Sequence, residues 1–299
     1  MKASDKIRYK FQTATVVEKL IGINVLVFLL FFLIRTIAFL FQLPSDFLLQ
    51  WFVFPKEPGE FIFKPWSIIT YSFLHSGIWH ILSNMLILYF SGNYFLTYFS
   101  AKRLLNYYFL GAIVGALVYM LSYNLFPAFQ GTGRSYLLGA SAGVMAVLVG
   151  IATQIPHMRV RLALIGSLKF WWIAAFFVAL DVIQIPISNP GGHLAHLGGA
   201  ILGYAYTTQL QKGNDIGAWF GDLMDGFVAL FKPTEKKAKM KTVYRKTGKT
   251  KSSGSSSVKM DKDEKQKRVD AILDKISKSG YDSLSKAEKD FLFQAGKDD

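Results

Sequence analysis

The chain has 299 residues, of which 52% are hydrophobic, 15% aromatic and 18% charged, with a formal net charge of +14. So little charge, with the apolar residues gathered into long runs, excludes an ordinary soluble domain and indicates an all-α membrane protein. The absence of cysteine excludes disulfides, thiolate catalysis, iron–sulfur clusters and cysteine-ligated zinc.

A polar N-terminal segment, residues 1–20, holds Lys2, Lys6, Arg8, Lys10 and Lys19. The first apolar span follows at about Ile21–Phe41. No small-residue cleavage site follows it, so it reads as a retained helix and not a removed signal peptide. Residues 42–79 are rich in Phe, Trp, Leu and Pro. They are too apolar for a free loop and too broken for a span. They read as an element lying partly in the membrane interface, where aromatic residues prefer to be.

Five more spans are expected, at about His80–Phe99, Leu104–Tyr123, Ser141–Ile155, Phe170–Ile185 and His196–Leu210. Several fall short of the roughly 20 residues that cross the hydrocarbon. Short helices can begin below the surface if protein or a water-filled cavity satisfies their ends. With six spans, the basic segments (residues 1–20, Lys102-Arg103, Arg159, Arg161 and Lys169, and the tail) all fall on one side. The opposite loops hold only Lys56, Lys64 and Arg134. The positive-inside rule then places both termini in the cytoplasm.

Residues 213–231 place Ile216, Trp219, Phe220, Leu223, Phe227 and Phe231 at helical spacing, which suggests an amphipathic interfacial helix. A basic flexible linker is expected over 232–262, and a small helical hairpin over 263–299, with Gly280 breaking its first helix. Residues 232–299 carry 19 Lys/Arg against 11 Asp/Glu. Beside membrane helices, lipid headgroups are a nearer anion than nucleic acid. The hairpin offers a surface for a cytoplasmic partner.

Polar residues at membrane depth are costly and usually have a partner or a task. Four segments contain them. Gly139-Ala140-Ser141-Ala142-Gly143 puts a serine at a helix start, where free backbone N–H groups face a developing negative charge. Taken alone it also reads as a small-residue packing face with a capping serine. His193-Leu194-Ala195-His196-Leu197-Gly198-Gly199, continued by Gly203, carries a small-xxx-small face with His196 one turn above Gly199. If the fourth and sixth spans enter from the same side, Ser141 and His196 share one end of parallel helices, each within a turn of its start. A nucleophile and its base could meet there. His80 and Asn84 are four apart on one helix face and could donate to an oxyanion, or form a polar knot between helices. Trp66-Ser67 reads as an interfacial anchor.

Together these segments resemble the rhomboid intramembrane serine proteases. The likeness rests on His75, His80 and Asn84 at their spacing, then Gly139-Ala140-Ser141, then Ala195-His196-Leu197-Gly198-Gly199, within roughly residues 15–212. It implies a six-transmembrane-helix rhomboid bundle over residues 21–212 with a cytoplasmic C-terminal tail. It implies Ser141 as nucleophile, His196 as general base and then acid, and an oxyanion hole made by the Ser141 N–H with His80 and Asn84. His75, Gly139, Gly199 and Gly203 would support them. The family's arrangement is a Ser-His dyad, with no carboxylate needed to orient the histidine. Its substrates are single-pass membrane proteins, cut near the outer face where small or helix-breaking residues let the helix unwind. No metal or cofactor is implied, and no nucleic acid.

The chain departs from the family pattern at Ala142, at Ser67 after Trp66, at Asn93 after Gly92, and at Met145 where a tyrosine often stacks on the base. These leave substrate preference open. An inactive rhomboid-like protein that binds membrane clients is the alternative, although such relatives usually lack the serine or histidine. A metal transporter using His75, His80, His193 and His196 is disfavoured because intramembrane acids are scarce, Asp181 being the clearest. No HExxH occurs. The small size, six-span core and missing targeting signals suggest a bacterial inner membrane.

Overall fold

The computed structural model describes residues 3–44, 48–162, 166–231 and 262–295. The basic linker expected over 232–262 lies outside them except for its last residue. The chain divides into two compact units, Met1–Thr234 and Glu235–Asp299.

Helix α1 (Ala3–Thr13) gives way to α2 (Val16–Leu40) at a capping box. The Glu18 N–H donates to Thr15 Oγ1 at 3.2 Å, and the Thr15 N–H donates to Glu18 Oε2 at 2.7 Å. Such a cap stabilises a helix start by about 1 kcal/mol. Only 17% of the most apolar stretch of α2 is buried, against 56% of that in α6 (Ala101–Leu125). The exposed Leu26, Phe39 and Leu40 of α2 therefore suit lipid and not water.

The segment after α2 is a brace. It contains β1 (Phe54–Pro55), α3 (Pro58–Phe63), α4 (Ser67–Thr70) and a 3₁₀ turn over Tyr71–Phe73. Strand β1 pairs antiparallel with β2 (Tyr136–Leu137), Phe54 opposite Leu137 and Pro55 opposite Tyr136. Tyr71, fully buried, donates its hydroxyl to the Ala112 carbonyl at 2.7 Å, and its own carbonyl accepts the Gly139 N–H at 3.0 Å. A buried tyrosine needs such a partner, and here the partner fixes the loop to α6. An interfacial element was expected from the aromatic content. The strand pairing that ties it to the approach to Ser141 is a tertiary feature.

The remaining membrane-unit helices are α5 (Ile78–Tyr98), α7 (Ser141–Gln154), α8 (Phe170–Gln184) and α9 (Pro190–Gln211). All six apolar stretches are thus helical. The last helix begins six residues earlier than expected. Pro190 opens it because its fixed φ and missing N–H suit a first turn, and a hydropathy window passes over that Pro-Gly-Gly start. His196 consequently lies in the second turn, not the first.

A count of six crossings does not follow from these helices. Among the described residues, α2 and α6 are long and apolar enough to cross a membrane by themselves, and α5 joined to Ser67–Phe73 through a 96° bend would make a third. Helices α7 and α8 are 14 and 15 residues long. Between them, β3 (Arg159–Leu162) and β4 (Gly166–Lys169) form an antiparallel pair where the sequence suggested only a basic connection. Val160 is buried between the exposed Arg159 and Arg161, an alternation that marks a strand.

The centre is α6, α7 and α9. A Cβ on Gly199 would lie 2.0 Å from the Ala142 carbonyl oxygen, and one on Gly203 2.3 Å from that of Ala146. Both pairs are four residues apart, so two small stripes mesh in register. Opposite them, a Cβ on Gly115 would lie 2.8 Å from the Ala195 oxygen. Below this contact Tyr107 and Tyr206 stack with centroids 4.2 Å apart, and the Tyr107 hydroxyl meets Thr207 Oγ1 at 2.8 Å.

Helix α10 (Ala218–Phe231) ends the first unit. Lys102 at the start of α6 holds it through Asp222 (3.0 Å) and Asp225 (2.7 Å), and Asn106 donates to the Gly217 carbonyl at 3.0 Å. Phe220 is buried, while Trp219, Leu223 and Leu230 are exposed.

The second unit contains α11 (Lys262–Ser279) and α12 (Lys286–Ala295). Gly280 between them has φ +78°, which only glycine adopts without strain. Ser285 caps α12, its N–H donating to Glu288 Oε2 at 2.7 Å, and Lys275 meets Glu288 at 3.0 Å. The backbone bond from Ser285, then Lys275 and the Ser285 hydroxyl, lower the Glu288 carboxyl to about 2. Its folded value is thus below its unfolded one. The contribution to hairpin stability is complete above the unfolded value of about 4.5 and is lost as pH falls from there towards 2. The protection of the Ser285 amide against hydrogen exchange, relative to its intrinsic rate at each pH, is expected to fall as pH falls through that window in wild type and to lose that dependence in Glu288→Gln. An unchanged profile in the variant would contradict this account.

Candidate active site

Ser141 is the first residue of α7, with Ala140 before it as the cap. Ahead of it, Gly139 has φ +124°, and a Cβ there would lie 2.7 Å from His80 Nε2 and 3.5 Å from Ser141 Oγ. The bare backbone at Gly139 therefore does two things. It allows the turn that starts α7, and it leaves room for the His80 ring beside the serine.

Ser141, His80 and His196 line one cavity of about 430 Å³, with Ser76, Tyr136, Leu137, Leu138, Asn189 and Gly192. Three elements supply the polar groups: α5 brings His80, α7 brings Ser141 and α9 brings His196. The Ser76 N–H faces His80 Nδ1 at 3.4 Å and the Ser76 hydroxyl at 3.0 Å. A backbone N–H can only donate, so Nδ1 accepts. The neutral ring then carries its hydrogen on Nε2, the nitrogen beside Gly139. That is the tautomer able to donate into the cavity.

Other expected residues are placed differently. Asn84 is buried and its Nδ2 donates to the His80 carbonyl of its own helix at 2.9 Å; it is absent from the cavity wall. His75 stacks edge-on against His80 with centroids 5.1 Å apart. It lines a second cavity of about 400 Å³ bounded by Phe28, Phe31, Arg35 and Arg134. Gly199 and Gly203 lie at the α7–α9 contact, one and two turns below His196. Ala142 and Met145 are buried in the core beneath the cavity. Ser67 is fully buried, and the indole of Trp66 donates to the Trp51 carbonyl at 2.8 Å.

One residue went unassigned. Asp181 of α8 is 6% exposed, and its Oδ1 lies 2.7 Å from His196 Nδ1 and 2.8 Å from His193 Nδ1. A carboxylate thus lies against His196, where the family's dyad needs none to orient the histidine. The signal was present, since an acid inside an apolar span needs a partner. The three side chains also offer ligand atoms within 4.8 Å of one another. The four histidines weighed as transporter ligands instead divide into two pairs, His75–His80 and His193–His196.

A family model described as "Rhomboid domain" matches residues 63–212, half of the chain. A second, described as "Family of unknown function (DUF6576)", matches residues 256–295. The chain is 28% identical over 157 residues to "RHOMBOID-like protein 12, mitochondrial" of Arabidopsis thaliana, covering 49% of this chain and 47% of that protein. It is 30% identical over 142 residues to "Presenilin-associated rhomboid-like protein A, mitochondrial" of Danio rerio, covering 46% of this chain and 36% of that one. The match thus spans less than half the length of either relative. Both relatives are named as mitochondrial, which overturns the bacterial inner membrane suggested by the small size, the six-span core and the missing targeting signals. Span composition responds to hydrocarbon thickness and does not distinguish one such membrane from another. The central helices, the cavity residues and the match across residues 63–212 agree: this chain belongs to the rhomboid family.

Proposed function

We propose that this chain is an intramembrane serine endopeptidase that cuts transmembrane-helix substrates, with Ser141 as nucleophile and His196 as its base. The observation that carries this reading is the convergence of Ser141, His80 and His196 on one cavity from three separate helices. A mitochondrial membrane is the setting to test first, on the names of the two relatives.

In this mechanism Ser141 Oγ attacks the scissile carbonyl carbon as its proton passes to His196 Nε2. The carbonyl oxygen becomes an oxyanion at the N-terminus of α7, where the Ser141 N–H and the His80 Nε2–H can donate to it. Collapse breaks the C–N bond, and His196 returns the proton to the leaving amine. Water then attacks the acyl-enzyme along the same path and releases the acid. Ser76, Tyr136 and Asn189 add polar groups to the lining of the cavity that this water must enter.

The test is labelling of the detergent-purified protein with a fluorophosphonate probe, followed by cleavage of single-pass membrane substrates. His80→Ala is expected to slow labelling by on the order of 10²–10³, the usual cost of one oxyanion donor. Asn84→Ala should cost less, because its amide serves the His80 carbonyl. Equal losses at the two positions would place Asn84 in the hole as well. A folded wild type that neither labels nor cuts would favour the client-binding alternative.

A further inference from the structure

We propose that Asp181 is a positioning residue for His196, so that this chain works with a Ser141–His196–Asp181 relay in place of an unsupported dyad. The inference rests on the protease reading above and adds a member to its site.

The geometry carries it. Asp181 comes from the last turn of α8, a helix that is apolar up to that point, and is buried to 6% exposure. One of its oxygens lies 2.7 Å from His196 Nδ1 and 2.8 Å from His193 Nδ1. An ionised carboxylate is acceptor-only, so both imidazoles donate through Nδ1–H. The tautomer of His196 follows. With the hydrogen held on Nδ1, Nε2 is left as the acceptor, and His196 lines the cavity shared with Ser141. A general base for a hydroxyl needs that state.

The carboxylate also acts after proton transfer. When Nε2 takes the Ser141 proton, the ring becomes an imidazolium in a buried place. Asp181 then faces it as the opposite charge, at a distance where the attraction is strong in a low-dielectric site. His193 occupies a second lone pair of the same oxygen and keeps the carboxylate from rotating away. Fixing the base in this manner stabilises the transition state more than the bound ground state, so it acts on the chemical step. The other titratable groups facing His196 are His80 from α5 and Ser141 from α7, while α6 presents Tyr119 and Tyr123 to Gly191 at the start of α9. None of these is a carboxylic acid.

The same three side chains could instead hold a divalent cation, with both Nδ1 atoms and the carboxylate as ligands. The two arrangements differ in where the proton is. A hydrogen-bonded His196 carries it on Nδ1. A metal-bound one does not.

The full chain is tested in detergent with the fluorophosphonate probe, for which Oγ–P forms, P–F breaks, fluoride leaves and the serine proton passes to His196. Asp181→Asn is expected to lower the maximal rate of phosphonylation by up to about 10⁴, with little change in the probe's apparent dissociation constant. Asp181→Glu should recover part of the rate. In ¹⁵N-histidine spectra of the wild type, the resonance removed by His196→Gln should show the hydrogen on Nδ1, and in Asp181→Asn that preference should be lost. The wild-type spectrum needs no catalysis and no folded variant other than the assignment control.

The proposal is overturned by a wild-type His196 with its hydrogen on Nε2. It is equally overturned if Asp181→Asn labels at the wild-type rate, or if a chelator strips stoichiometric zinc and the activity with it. A wild type that carries the Nδ1 hydrogen but never labels or cuts would instead refute the protease reading.

Discussion

Ser141→Ala and His196→Ala are each expected to abolish fluorophosphonate labelling, with cleavage reduced by on the order of 10⁶, while the protein keeps its fold. That magnitude is the usual cost of removing either member of a serine–histidine unit, and the two losses should not add. The double variant should therefore be no slower than either single one. The fold should survive because neither side chain fills the core. The tight contact of α7 with α9 is made by Ala142, Ala146, Gly199 and Gly203, not by the two polar side chains. Thermal unfolding in detergent provides the check. A loss of labelling accompanied by unfolding would assign Ser141 or His196 to structure and remove the chemical interpretation.

Gly199→Val should also be damaging, though residue 199 does not line the cavity. A Cβ at 199 meets the Ala142 carbonyl oxygen at 2.0 Å, and that atom is backbone, so it cannot turn aside. Helices α7 and α9 must separate. Overpacking of this kind costs roughly 1–3 kcal/mol. The larger consequence is for chemistry, because Ser141 and His196 are carried by the two helices being driven apart. Displacing reacting groups by about 1 Å can cost on the order of 10² in rate. We expect at least that loss in labelling, with a lowered Tm. Gly22→Ala on α2 is the control, since nothing lies within 4 Å of a Cβ there. It should leave labelling unchanged. Wild-type labelling in Gly199→Val would mean that the site tolerates helix separation, and that packing does not set its geometry.

Much of the site could be read in one dimension because its local requirements are local in sequence. Ser141 follows Gly139 at the start of an apolar run, and His196 precedes Gly199 and Gly203 at spacings that define a helix face. His80 and Asn84 share a face for the same reason, yet their roles diverge. The amide of Asn84 turns back to the His80 carbonyl, while His80 reaches the Gly139 turn. Spacing reports which side of a helix a residue is on, not which neighbour its side chain meets.

By itself the sequence determined the helices and the small-residue stripes, because helix formation and close approach depend on runs and repeats of four; that His80 joins Ser141 and His196 was implied only by the family resemblance. Tertiary structure alone decided that β1 pairs with β2 beside the nucleophile, that His75 faces a different cavity, and that Asp181 reaches His193 and His196 from a neighbouring helix. Those contacts join residues 12 to 83 positions apart. No local periodicity encodes them; they exist because burying a polar group at membrane depth requires a partner, and the packing of the helices determines which partner is within reach.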